Sequence, residues 1–108
     1  NNYSYTLAER GIKLRTALNM AEKAMELEPG NPAYLDTIGW IYFKQKKFEK
    51  ALKYIEQSIS KNPENAVVLE HLGDVLMKVD RPEDARTYYG KALAIDKYND
   101  RLQRKIKE

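Results

Sequence analysis

The feature that most constrains this chain is an interval of thirty-four residues. Pro29 and Pro63, Gly39 and Gly73, and Ala51 and Ala85 are each separated by it, and Ala17 precedes Ala51 by the same step. Around these anchors the stretch Leu35-x-x-Ile38-Gly39-x-x-Tyr42 returns as Leu69-x-x-Leu72-Gly73-x-x-Leu76. Likewise Ala51-x-x-x-Ile55-x-x-Ser58 returns as Ala85-x-x-x-Tyr89-x-x-Ala92, and appears upstream as Ala17-x-x-x-Ala21-x-x-Ala24. A unit of this length cannot bury its apolar face alone, so it must stack on its neighbours.

Each unit reads as two helices. Leu35, Ile38 and Tyr42 share one helix face, as do Ala51, Leu52, Ile55 and Ile59. Asn31 followed by Pro32 supplies an N-cap and a first-turn proline, Asn65 can cap the next unit, and Pro82 can open a helix. The links near Lys46-Lys47 and Asp80-Arg81 are short, which forces antiparallel neighbours. Glycine inside a helix costs about 1 kcal/mol relative to alanine. Gly39 and Gly73 are therefore expected to admit the close approach of a partner helix, with Ala51 and Ala85 small on the other side.

The residues resemble the tetratricopeptide repeat, with its large apolar residue, Leu-Gly, aromatic, Ala, aromatic, Ala and Pro. The match runs best from Pro32 to Pro63, where Leu35 and Ile55 replace aromatics and Ser58 takes the second alanine place. In the next unit Lys97 replaces the closing proline and Gly90 interrupts the second helix. The first unit is partial: its first helix begins near Tyr3-Ser4, with Ser4 in the glycine place and one extra residue in the Arg10–Lys13 turn. An Ala8-Glu9-Arg10-Gly11 turn ahead of Leu35-x-x-Ile38-Gly39-Trp40 is similar to bacterial members of the family.

The resemblance implies an all-α, right-handed superhelical solenoid of antiparallel helix pairs, with about three repeats and a C-terminal capping helix. The divisions are a partial repeat over 1–31, repeats over 32–65 and 66–99, and a cap over 99–108 in which Leu102 and Ile106 form the apolar seam. The chain is expected to start inside a repeat and to be a fragment of a longer protein. Bare apolar surface at Tyr3 and Leu7 would then allow self-association through the N-terminal edge.

Trp40, the sole tryptophan, is off the apolar stripe. At about 100° per residue it lies about 140° around the helix from Leu35 and about 160° from Tyr42. In the family resembled, that side of the first helix lines the concave surface on which ligand peptides lie. The residues so placed are Asp36, Thr37, Trp40, Phe43 and Lys44 in one unit, and Glu70, His71, Asp74, Met77 and Lys78 in the next. The partial unit adds Tyr5 and Glu9. Tyr5, Trp40, Phe43 and Met77 form an apolar track beside four carboxylates and two lysines. Such a face suits a protein or peptide segment carrying large apolar side chains and one or two Arg or Lys residues, with Trp40 as a cation–π acceptor. A second reading stands beside it: Tyr5 and Trp40 are thirty-five residues apart and can stack between adjacent first helices. A subgroup of the family that clamps acidic chaperone tails uses Lys, Arg and Asn on this surface. Asp36, Thr37, Trp40, Val67 and His71 stand there instead, so that specialised activity is not expected.

Composition narrows the remaining classes. Hydrophobic residues make up 43% and charged residues 32%, the balance of a globular chain. The net charge of +3 comes from interleaved signs rather than a basic stripe, and the concave face is acidic, so nucleic acid is not an expected partner. The Arg101, Arg104, Lys105 and Lys107 cluster reads as a solvated capping face. No cysteine is present, so disulfides and thiolate metal sites are excluded. No apolar run approaches the ~20 residues of a membrane span. The lone His71 makes a thin metal site, and Ser4, Ser58 and Ser60 offer no nucleophile. With no glycine-rich phosphate loop, neither enzyme activity nor a cofactor is expected, and the compartment is left open. The expected role is a non-catalytic protein-interaction module, with a structural or self-associating solenoid segment as the alternative and an RNA-binding repeat behind both.

Overall fold

The computed structural model describes residues 14–107. Six α-helices follow one another: α1 (Leu14–Leu27), α2 (Pro32–Lys44), α3 (Phe48–Lys61), α4 (Ala66–Lys78), α5 (Pro82–Ile95) and α6 (Asp100–Lys107). Among the described residues there is no strand. The first helix expected near Tyr3-Ser4, with its turn and the N-terminal edge, falls outside the described residues.

The helices begin where the sequence expects. The Asn31 side-chain oxygen accepts from the Ala33 and Tyr34 amides at 2.9 and 3.4 Å, with Pro32 following as the first helical residue. Asn65 repeats the arrangement, accepting from Val67 and Val68 at 3.0 and 3.2 Å. Asn99 accepts from the Leu102 amide at 3.1 Å, so the three caps also keep the thirty-four-residue interval. The helices end alike too. Lys46 and Asp80 take left-handed φ values of 63° and 61°, which turns the next amide back on the helix. Lys47 then donates to the Tyr42 carbonyl, and Arg81 to that of Leu76, both at 2.9 Å.

Packing is closest within the hairpins α2–α3 and α4–α5, and each helix also lies against its neighbours in sequence. Beyond these, α2 also lies against α4, which joins the first helices of adjacent units. This is an all-α repeat solenoid whose core is one continuous apolar cluster running from Ala17 to Leu102.

The glycines explain the tight crossings. A Cβ at Gly39 would fall 2.6 Å from Ile55 Cγ1 and 3.2 Å from the Ala51 carbonyl oxygen. A Cβ at Gly73 would strike the Tyr89 ring, 2.6 Å from Cδ1. That ring cannot swing away freely, because its hydroxyl donates to Asp74 Oδ1 at 2.6 Å. Ala51 and Ala85 are fully buried opposite. Ser58 does more than fill a small-residue place: its hydroxyl donates to the Pro32 carbonyl at 2.8 Å, tying the end of α3 to the start of α2.

Gly90 departs from expectation. It does not interrupt α5, which continues to Ile95. Ala85, Tyr89 and Ala92 are buried along the same helix, and their packing holds the backbone helical through the glycine. A Cβ there would meet nothing within 4 Å.

Two glycine substitutions should therefore act in opposite directions. Gly73→Ala should lower the stability read from urea unfolding by about 1–3 kcal/mol, as should Ala51→Leu, through overpacking. Gly90→Ala should raise it by about 0.5–1 kcal/mol, because only the backbone entropy and helix propensity change.

Candidate peptide-binding face

The side chains expected on the concave face are brought together on α2 and α4, and most are already engaged with one another. Asp36, Thr37, Trp40, Glu70 and His71 are buried, Phe43, Lys44 and Asp74 are half-buried, and Met77 and Lys78 are exposed. Tyr5 and Glu9 lie outside the described residues, so the Tyr5–Trp40 stack does as well.

Trp40 is only 7% exposed. Its indole stacks on Phe43 with 4.5 Å between ring centres and on His71 with 3.9 Å. The Lys44 ammonium stands 5.3 Å from the same ring, so a cation of this chain already uses the expected cation–π acceptor. The indole Nε1 is buried without a hydrogen-bond partner. The His71 contact gives Trp40 a packing role between α2 and α4. Thr37 turns its hydroxyl back to the Ala33 carbonyl at 2.9 Å.

The carboxylates are paired. Asp36 meets His71 Nδ1 at 2.9 and 3.2 Å, joining α2 to α4 where both side chains are almost out of water. Glu70 receives a two-pronged bond from Arg101, with Nε and Nη2 both at 2.7 Å, and a third from Lys105 Nζ at 2.6 Å. Lys105 also reaches Asp74 at 3.0 Å. Of the basic cluster expected to be a solvated capping face, then, Arg101 and Lys105 turn onto the acidic face, while Arg104 and Lys107 stay exposed. Leu102 provides the reason: it is buried in the apolar core cluster, and that fixes which side of α6 faces α4.

These contacts set the local electrostatics. The Arg101 fork, reinforced by Lys105, pulls the Glu70 carboxyl down to about 2 against the opposing effect of burial. Burial alone would push the Lys105 ammonium down, but its bonds to Glu70 and Asp74 outweigh this and hold it above its ordinary value. Arg101 is raised by the same Glu70 bond. Trp40, Val67, Glu70, His71, Asp74, Arg101 and Lys105 together line a cleft of about 350 Å³. Among the described residues no group of three or more His, Asp or Glu side chains is placed to hold a metal ion. None of the described helices is long and apolar enough to cross a membrane.

A depressed carboxylate contributes stability above its unfolded value, near 4.5, and loses it as pH falls towards 2. Glu70→Gln should cost about 1–2 kcal/mol at pH 7, allowing for the water around the exposed Arg101 head. In urea melts that difference from wild type should shrink between about pH 4.5 and pH 2 and be gone at the lower end.

Comparison with known proteins agrees with this architecture. A 51-residue stretch, 47% of this chain, is 41% identical to a TPR repeat-containing protein of Pseudomonas aeruginosa, and it spans 9% of that protein's length. Among solved structures, the first TPR of Spaghetti (RPAP3), bound to the HSP90 peptide SRMEEVD, superposes with a TM-score of 0.88 at 20% identity. That match covers 98% of this chain and 85% of the other. The Sgt2 TPR domain from Aspergillus fumigatus gives 0.86 at 19% identity over 98% of this chain and 71% of its own. The family described as anaphase-promoting complex, cyclosome, subunit 3 matches residues 11–92. With its paired helices, its thirty-four-residue step and this match over most of its length, the chain belongs to that tetratricopeptide-repeat family.

Proposed function

We propose that this domain is a non-catalytic docking module that holds a peptide or protein segment along the face formed by α2 and α4. One observation carries the reading. Val67 is 52% exposed and Met77 42% exposed, at the two ends of a face whose middle is made of paired polar groups and buried rings. Large apolar side chains left in water at this place are what an apolar anchor of a partner would cover. Phe43 and Lys44, half-buried on α2, extend the face to the preceding unit.

The fold neighbour's acidic peptide is a poor guide to the ligand here. Where that peptide would need cations, this face has Asp36, Glu70 and Asp74. Those carboxylates are met by His71, Arg101 and Lys105, so a partner segment seats by large apolar side chains, and an Arg or Lys of it reaches Glu70 or Asp74 only in exchange for a cation already there. No step of bond chemistry is assigned to the module, since its groups are arranged in satisfied ion pairs rather than around a reacting atom.

Selection from a displayed library of random peptides tests this. Enriched sequences should be rich in large apolar residues with Arg or Lys. The double substitution Val67→Glu with Met77→Glu should reduce recovery about tenfold or more, equivalent to about 1.4 kcal/mol, while leaving the thermal midpoint unchanged. No enrichment over an unrelated helical protein, or recovery indifferent to the double substitution, would overturn the proposal.

A further inference from the structure

The second helices of two adjacent units enclose a groove distinct from the α2–α4 face. Glu22, Met25 and Glu26 of α1, Ile38 of α2 and Tyr54 of α3 line a cavity of about 250 Å³. It shares no residue with the cleft at Trp40, and Ile38 lies about 200° around α2 from that indole. Ile38 is buried, Met25 and Tyr54 are half-buried, and Glu22 and Glu26 are exposed, so the floor is apolar and the rim acidic. Glu22 and Glu26 are four residues apart on α1 and share one face. Among the described residues neither is in an ion pair, whereas Asp36, Glu70 and Asp74 all are. Tyr54 stacks on Tyr42 with 5.6 Å between ring centres. The Tyr42 hydroxyl is raised above its ordinary value, first by burial and then by Tyr54 and by the Glu22 charge, which therefore reaches the aromatic wall.

The repeat shows what a tyrosine at this place takes. One step on, Glu56, Ile59, Ser60, Leu72 and Tyr88 hold the corresponding positions. There Lys91 stands 4.9 Å from the centre of the Tyr88 ring. The residue that corresponds to Lys91 beside Tyr54 is Gln57. Among the described residues no cation stands over the Tyr54 ring, since Lys47 and Lys50 lie against Tyr42 instead. One unit thus supplies its own cation, while the other supplies none and adds a second carboxylate, Glu26 in place of Ser60.

We infer that this groove is a second docking site, one that seats an arginine side chain of a partner protein. A cavity of about 250 Å³ falls below the ~300–1,000 Å³ of pockets that take a whole small molecule, and suits one long side chain. The arginine stem covers Met25 and Ile38, the guanidinium plane lies on the Tyr54 ring, and its N–H groups donate to Glu22 and Glu26. Lysine would neutralise the same charge but has neither a plane to stack nor a fork to span two carboxylates. The site does not rest on the docking reading of the α2–α4 face, and either can fail without the other.

The probe is Nα-acetyl-arginine amide, titrated into the full chain at fixed ionic strength and followed by amide NMR shifts. Saturable shifts should centre on Glu22, Met25, Glu26 and Tyr54. Nα-acetyl-citrulline amide keeps the shape without the charge and should give none, and the lysine analogue should bind at least about threefold more weakly. Glu22→Gln with Glu26→Gln should weaken binding about tenfold or more. Gln57→Lys, which sets a cation of the chain beside Tyr54 as Lys91 is set beside Tyr88, should do the same. Glu22, Glu26 and Gln57 are exposed, so both variants should keep the wild-type thermal midpoint. Shifts that are absent or centre on Glu70 and Asp74, an equal response to the citrulline analogue, or binding indifferent to either variant overturns the inference. Equal affinity for the lysine analogue overturns the assignment to arginine.

Discussion

The architecture depends on backbone approach at two crossings. At Gly39 the absence of a side chain lets Ile55 and the Ala51 carbonyl come within contact distance of α2, and at Gly73 it admits the ring of Tyr89. These contacts set the spacing of each hairpin. The spacing fixes how far apart successive first helices lie, which decides what their outward side chains can reach. Asp36 can then meet His71, and Glu70 can meet Lys105, because two small-residue crossings hold three helices at a constant step. The polar face follows from the apolar crossings.

That face is a set of satisfied charges rather than an open acidic groove. Burying a carboxylate without a partner costs far more than pairing it. Asp36, Glu70 and Asp74 are each paired within the chain, with His71, with Arg101 and Lys105, and with Lys105 and Tyr89. Any further cation brought to Glu70 or Asp74 must therefore exchange with Arg101 or Lys105. Met77 and Val67, by contrast, lie in water with no such exchange to make.

Helix order, caps and hairpin crossings were legible in the sequence because each rests on local chemistry repeated at a fixed step. Asn31, Asn65 and Pro82 act within their own first turns, and Gly39 and Gly73 mark places where a side chain is not tolerated. The pairing of Arg101 and Lys105 was not read, since charged residues on a terminal helix look the same whether they meet water or carboxylates. A signal was available: Glu70 and Lys105 stand at the separation of Asp36 and His71, and opposite charge at that offset marks a contact between neighbouring first helices. Gly90 looks like a break by helix propensity alone, but the buried Tyr89 and Ala92 on either side hold α5 together. The left-handed Lys46 had no signal in residue type, and Asp80 only the weak one that aspartate tolerates positive φ.

The stack of Trp40 on His71 has an optical consequence. The chain has one indole, and it sits at the joint between two units, against an imidazole carried by the next one. Its emission is thus a gauge of the joint between α2 and α4. Slight opening between α2 and α4 would register as a change in quenching long before any helix melts, so the molecule carries its own strain meter.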